Sequence, residues 1–126
     1  MITADAGGSN GYRCRAWEVE LQQFADETRL GIHVSHLPPG TSKWNKIEHR
    51  LFCHITENWR GTALQTFETI VDRLGNTRTA KGLRVHAQLD EGQYPTGAKV
   101  TKSQMDTLAL VPDSFHGEWN YSLFPR

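Results

Sequence analysis

The chain has 126 residues, a length that fits one domain or part of one. Its 37% hydrophobic and 22% charged residues are typical of a soluble globular protein, and no apolar run is long enough to span a bilayer. The formal net charge is zero, so overall electrostatics do not predict nucleic-acid binding. Two cysteines without a CxxC partner, and no basic-then-apolar leader, predict a reducing cytoplasm.

The first candidate site residue is Asp5, at the end of a predicted strand. Residues 2–6 read ITADA and run into Gly7-Gly8, a pattern that predicts a strand followed by a tight turn. Open α/β sheets place their sites at the carboxyl ends of such strands. An Asp in a glycine turn also commonly binds its own backbone, so the sequence leaves both roles open.

A helix and a second strand are predicted next. Residues 12–29 show helical spacing, with aromatic side chains expected in the core. The apolar face consists of Trp17, Leu21, Phe24 and Thr28. After Gly31 ends the helix, residues 32–37 predict a short strand with His33 and His36 on its surface. A strand, a helix and a strand predict a parallel, right-handed βαβ unit.

The stretch 37–52 reads LPPGTSKWNKIEHRLF and contains one acid, Glu48. A Pro-Pro-Gly turn precedes a predicted helix, and at about 100° per residue Glu48 falls inside its apolar stripe. That stripe is formed by Ile47, Leu51 and Ile55. A carboxylate on the core side needs a cationic partner, and a metal ion is the strongest one. At the margin of the stripe, Glu48 would merely complement the helix N-terminus.

The parallel unit brings the two acids to one edge of the sheet. The strand that carries Asp5 and the loop that leaves the second strand end on the same side, so Asp5 and Glu48 are expected to meet. Hard divalent ions such as Mg²⁺ take oxygen ligands and few protein groups. Two converging carboxylates therefore predict a pair of ligands for a divalent metal. Zinc is not expected, because no CxxC or HxxxH ligand arms are present.

The second half of the chain alternates helical and extended patterns. Helices are predicted at 64–74 and 103–110, and strands at 83–90 and 117–123. Between residues 73 and 102, six basic residues stand against two acids, which gives weak local support for DNA contact. The basic residues are Arg73, Arg78, Lys81, Arg84, Lys99 and Lys102. A solvated face would show the same pattern.

Several sequence blocks point together to one family. They are DAGGSNGYR, WEVELQQFADET, LPPGTSKWNKIEHRLF, NWRG, TRTAKGLRVHAQLDEGQYPTGAKV and FHGEWNY. Together they resemble the C-terminal part of bacterial insertion-sequence transposases of the Rhodopirellula type, a DDE group, over essentially the whole chain. The Pro-Pro turn followed by Asn-x-Ile-Glu is also similar to the third-acid motif of mariner-like transposases.

The resemblance implies an α/β fold that is a partial RNase H-like domain. Residues 1–61 would form a βαβ-α core lacking the N-terminal strands, and residues 62–126 a C-terminal α+β extension packed on the same domain. Asp5 matches the family's second aspartate and Glu48 its final glutamate. Three acids of such enzymes bind two Mg²⁺ ions, which serve cleavage at the transposon ends and strand transfer into target DNA.

The family's first aspartate would lie on an earlier strand that this chain does not include. We therefore expect the chain to be inactive alone, with the Asp5 strand at an exposed sheet edge. Its expected partners are DNA, a second copy of itself or a full-length transposase, and no membrane, in the cytoplasm and at the nucleoid. The alternative function is that of a non-catalytic remnant which binds DNA or dimerises.

Residues around Glu48 complete the predicted site. Candidate contacts to DNA phosphates are Lys43, Lys46 and Arg50. A solvated helix face explains these basic residues equally well. The expected neighbours of the metal acids are Trp44, Asn45 and His49.

Overall fold

A computed structural model describes the backbone of residues 1–126 and every side chain except that of Ser42. The chain divides into two units, one formed by residues 1–45 with 95–126 and the other by residues 46–94. This division describes how the chain packs and not which residues carry out a function. The predicted boundary between residues 1–61 and residues 62–126 therefore stays a prediction.

The first unit contains a four-stranded mixed sheet. Its strands are β1 (Ile2–Ala4), β2 (Ile32–His36), β3 (Leu110–Pro112) and β4 (Asn120–Leu123). Their order is β1-β2-β4-β3, so β1 lies at an edge. Strands β1 and β2 are parallel, with Ala4 opposite His36, whereas β4 runs antiparallel to both β2 and β3. The predicted parallel pair and the edge position of β1 are confirmed. The predicted α/β fold class is confirmed as well, as a mixed sheet with helices.

Helix α1 (Arg15–Thr28) packs its Leu21 and Ala25 face against the sheet. The buried partners from the strands are Ile32, Val34, Tyr121 and Leu123. The expectation that Phe24 belongs to the core is wrong, since its side chain is 50% exposed. The core face is instead set by the four-residue spacing of Leu21 and Ala25. The helix ends at Arg29, which takes the left-handed conformation, two residues before Gly31.

Gln22 is the polar residue that α1 buries. Its Nε2 donates to the carbonyl of Phe124 at 2.8 Å and to Asp26 Oδ1 at 2.9 Å, while its Oε1 accepts from the Ala109 amide at 2.8 Å. Both ends of the amide are used, which is what burial of a polar side chain requires. Gln22 therefore fixes α1 to the residues that flank β3 and β4.

His36 was expected on the surface of β2, and this is wrong. It is 3% exposed, because the buried set of β2 runs through Ile32, Val34 and His36. Side chains of a strand alternate between its faces, so His36 lies on the same buried face as Ile32 and Val34.

The regular structure of the second unit consists of short helices. A π-helix (Glu48–Phe52) continues directly into α2 (Cys53–Trp59), and α3 (Phe67–Gly75) follows. The helix predicted after Pro38-Pro39-Gly40 is thus present, but it consists of several pieces. The first piece, a 3₁₀ helix (Ser42–Trp44), belongs to the first unit. Asn58 joins α2 to the end of α3, because its Nδ2 donates to the Arg73 carbonyl at 2.6 Å.

The strand predicted over residues 83–90 is wrong. Among the described residues, this segment pairs only through one antiparallel bridge, Arg78 opposite Arg84. Leu83, Val85 and Ala87 are half-buried and alternate with exposed residues, so the predicted two-residue alternation in burial is present. A period of two without a neighbouring strand does not make a ladder.

The chain returns to the first unit after residue 94. Helix α4 (Lys102–Met105) is capped by Thr101, whose side chain and Gln104 form a reciprocal capping box. It is shorter than the predicted helix of residues 103–110, since a turn follows it at residues 106–107 and Leu110 begins β3.

Candidate active site

The carboxyl ends of β1 and β2 open into a pocket of about 660 Å³. Its walls are the loop of residues 5–14 and the turn of residues 38–40. Asp5 is half-buried in this wall. The position that parallel-sheet topology predicts for a site is thus a real cavity.

The loop that follows β1 is folded tightly on itself. The amide of Gly11 donates to the Gly8 carbonyl at 3.2 Å, and that of Cys14 to the Gly11 carbonyl at 2.9 Å. A Cβ atom on Gly11 would lie 2.7 Å from the Ala6 carbonyl oxygen, so only glycine fits there. These contacts fix the backbone of the loop after β1, which forms one wall of the pocket.

Asp5 is held at its side chain and at its backbone. Asn45 Nδ2 donates to Asp5 Oδ1 at 3.2 Å, and His36 Nδ1 lies 3.1 Å from the Asp5 carbonyl oxygen. Because a carbonyl oxygen only accepts, Nδ1 of His36 carries the proton. A carboxylate has about four acceptor positions, so the Asn45 contact leaves room for a cation.

Tyr121 contacts the second ring nitrogen of His36. Its hydroxyl lies 3.4 Å from His36 Nε2, which accepts when the proton is on Nδ1. Burial, and secondly the charge of Glu18, raise the pKa of Tyr121 to about 12. The hydroxyl therefore stays protonated at neutral pH and can donate to the ring. The result is a chain of contacts from the core through His36 to the backbone of Asp5.

The structure brings one predicted neighbour, Asn45, into contact with Asp5. Lys43 and Trp44 belong to the same unit and are exposed, with Trp44 at 62%. The remaining predicted site residues belong to the second unit. They are Lys46, Glu48, His49 and Arg50.

Glu48 is half-buried and begins the π-helix. The apolar stripe predicted around it is not buried, since Ile47 is 41% exposed and Leu51 and Ile55 are only half-buried. A π-helix has more residues per turn than an α-helix, so the 100° spacing used for the stripe does not apply across this segment. Because Glu48 and Asp5 lie in different units, their convergence stays a prediction.

The donor atoms present suit a hard cation. Within the part of the chain that the structure describes, no group of three or more His, Cys, Asp or Glu side chains forms a metal cluster. Mg²⁺ typically keeps several waters and binds one or two carboxylates, so Asp5 at an open pocket fits such an ion. In the same described residues, no helix is long and apolar enough to cross a membrane.

With this geometry established, the chain was compared with known proteins. The family described as Rhodopirellula transposase DDE domain matches residues 1–125. The chain belongs to this family. No curated protein and no solved structure matched the chain. Membership implies DNA transposition as the function and DNA as the substrate, and DDE transposases generally use divalent metal ions.

In this transposase domain, His36 and Tyr121 are the contacts that sequence reasoning missed. The sequence pattern places His36 on the strand surface and Tyr121 in the predicted strand of residues 117–123, without a partner for either. A signal for His36 was available, because it continues the period of two set by Ile32 and Val34. The pairing with Tyr121 depends on β4 lying next to β2, which no local pattern indicates.

Proposed function

We propose that this transposase domain is the C-terminal part of an RNase H-like catalytic domain that cleaves and joins DNA. Asp5 is its second metal-binding acid and Glu48 its final one. The observation that carries this proposal is Asp5 at the carboxyl end of a parallel strand, held at a pocket by Asn45 and His36.

The arrangement of elements supports the RNase H-like assignment. A parallel β1-β2 pair is connected through α1, and the helical segment with Glu48 follows β2. The free side of β1 offers unpaired backbone groups to a further strand. A strand carrying the first acid would extend the sheet there.

The chain's own residues have distinct roles in this proposal. Asp5 and Glu48 hold the Mg²⁺ ions, while Asn45 and His36 orient Asp5. Bound Mg²⁺ ions would activate the attacking oxygen and stabilise the leaving oxygen of the phosphodiester. The exposed Lys43, Lys46 and Arg50 contact DNA phosphates, and Trp44 and His49 flank the acids.

A cleavage assay on transposon-end DNA with Mg²⁺ tests the proposal. The chain is assayed alone and together with a fragment of a family transposase that carries the first acid. We expect Asp5→Ala and Glu48→Ala to lower the cleavage rate at least about 100-fold in the complemented reaction, because each removes a metal ligand. Glu57→Ala, on the exposed side of α2, is the matched control and should cleave normally. Unchanged cleavage by Glu48→Ala would refute the assignment.

A second candidate function is that of a non-catalytic partner which binds DNA or pairs with a full-length transposase. The free edge of β1 favours it, since an edge strand can pair with another chain. In this case the chain would slow a full-length transposase without cleaving DNA itself. Cleavage by the complemented chain that depends on Asp5 would exclude this role.

A further inference from the structure

The loop between β3 and β4 carries a row of rings, which we call the aromatic row. Phe115 lies edge to face with His116 at 4.5 Å between centroids, and His116 stacks on Trp119 at 4.9 Å. Trp119 in turn meets Tyr12 at 6.2 Å. Arg13 lies over the Tyr12 ring, with its guanidinium carbon 5.1 Å from the centroid.

The loop that presents this row is fixed by hydrogen bonds. The Phe115 amide donates to Asp113 Oδ1 at 2.8 Å, and the His116 carbonyl accepts from the Trp119 amide at 2.8 Å. His116 has a φ of 48°, a left-handed value that is uncommon for a residue other than glycine. At Gly117, a Cβ atom would lie 2.8 Å from the Asp113 carbonyl oxygen. The loop therefore has one well-defined conformation.

Phe115 is exposed on this rigid loop, with 72% of its surface open to solvent. An apolar ring with this exposure contributes little to the core. It can, however, stack on a ligand at a reduced cost of ordering, because the backbone that carries it is already held by hydrogen bonds. Flat faces of this kind bind nucleic-acid bases, since every base offers a π-face.

The aromatic row begins at the pocket that contains Asp5. Tyr12 and Arg13 both line that pocket, and the Tyr12 ring lies edge-on to His36 at 6.4 Å. The row is thus continuous from the candidate metal acid to Phe115. A strand of DNA entering the pocket would pass along these rings.

The two ends of the aromatic row carry opposite charges. Arg13 places a cation at the pocket end, where it can meet a phosphate. At the other end the Glu118 carboxylate pairs with His116 at 3.2 Å, and hydrogen bonding lowers the pKa of Glu118, so it is ionised at neutral pH. A carboxylate there disfavours a phosphate but not the face of a base. Bases are therefore expected against Phe115 and His116, and the backbone against Arg13.

We propose that the aromatic row binds an unpaired nucleotide of the DNA end by base stacking, beside the pocket that contains Asp5. The proposal rests on the function proposed above, because DNA must enter that pocket. It adds a binding site for single-stranded or unstacked DNA at the FHGEWNY block.

Fluorescence of 2-aminopurine in a short duplex tests the site, because stacking quenches this base. One probe carries 2-aminopurine in a single-stranded overhang and the other in the paired region. We expect the chain to quench the overhang probe, and Phe115→Leu to weaken that binding on the order of tenfold. Phe115→Trp retains a ring and should bind within about twofold of the native chain, well inside the effect of one stacked base. Phe24→Leu removes another exposed aromatic and should have no effect.

Two results would overturn the proposal. One is equal binding of the overhang probe by the native chain and Phe115→Leu. The other is an equal loss for both probes, which would show a general DNA surface. The two tests can fail independently, because probe binding is measured on the chain without Mg²⁺, whereas the metal acids are tested by cleavage in the complemented reaction. If Asp5→Ala cleaves normally in that reaction, the proposed function fails whatever Phe115→Leu does.

Discussion

The two units of the chain are stabilised in different ways. In the first unit, Val34, Tyr121 and Leu123 are fully or almost fully buried by a helix and a sheet whose strands are distant in sequence. In the second, Thr77 is the buried residue among those described, and Phe67 is 70% exposed. Asp5 therefore lies on a framework with its own core. Glu48 belongs to a unit whose described apolar side chains are at most half-buried.

The largest effect should come from a core truncation in the first unit. Leu123→Ala removes a fully buried side chain and should lower the free energy of unfolding by about 3–5 kcal/mol. Leu89→Ala makes the same change at a side chain that is 42% exposed in the second unit. It should cost less than about 1 kcal/mol. Urea unfolding measures both, and equal losses would contradict the difference between the units.

Gln22→Ala should have the next largest effect. It leaves the Ala109 amide and the Phe124 carbonyl without their partner, so we expect a loss of about 2–4 kcal/mol in the free energy of unfolding. Gln23→Ala removes an amide whose bond to Glu27 is exposed, and it should change stability by less than about 0.5 kcal/mol. Comparable losses for the two variants would show that the buried amide does not fix α1.

Acid should weaken the first unit through Asp26. Hydrogen bonds from Arg126 lower the pKa of Asp26 from 3.8 to about 2. A folded-state pKa below the unfolded value gives stability that is present above about pH 4 and is lost as the pH falls toward 2. The difference in unfolding free energy between the native chain and Asp26→Asn should therefore shrink across that range. A constant difference from pH 5 to pH 2 would exclude this ion pair as the cause.

The smallest effect is expected at the bridge between Arg78 and Arg84 in the second unit. Like charges directly opposite are destabilising, so Arg78→Ala should leave stability unchanged or raise it by a few tenths of a kcal/mol. If this arginine contacts a DNA phosphate, the slope of log K against log salt should fall by about 0.9. A loss of more than about 1 kcal/mol would show that the bridge stabilises the unit.

Local patterns were sufficient for much of the first unit. A strand before a glycine turn, a helix with helically spaced apolar residues and a second alternating strand predicted β1, α1, β2 and their parallel pairing. Asp5 was placed at the carboxyl end of β1 by the same reasoning. These features depend on neighbours in sequence and on the right-handed crossover, both of which a single sequence reveals.

The remaining features depend on contacts between distant segments. That His36 packs on Tyr121, and that Gln22 binds residues near the C-terminus, follows from β4 lying beside β2. The π-helix that begins at Glu48 also escaped prediction, because the apolar spacing around it resembles that of an α-helix. The alternation of residues 83–90 predicts a strand, yet among the described residues this segment pairs only through the single bridge of Arg84 with Arg78.

Binding of Mn²⁺, a spectroscopically visible substitute for Mg²⁺, tests most directly whether Asp5 and Glu48 are metal ligands. Its affinity is measured for the native chain, Asp5→Asn, Glu48→Gln and the double variant. Ligation by both residues predicts that each single variant weakens binding about tenfold or more, and that the double variant binds more weakly than either. An unchanged affinity in Asp5→Asn or in Glu48→Gln would contradict the assignment of that residue as a metal ligand.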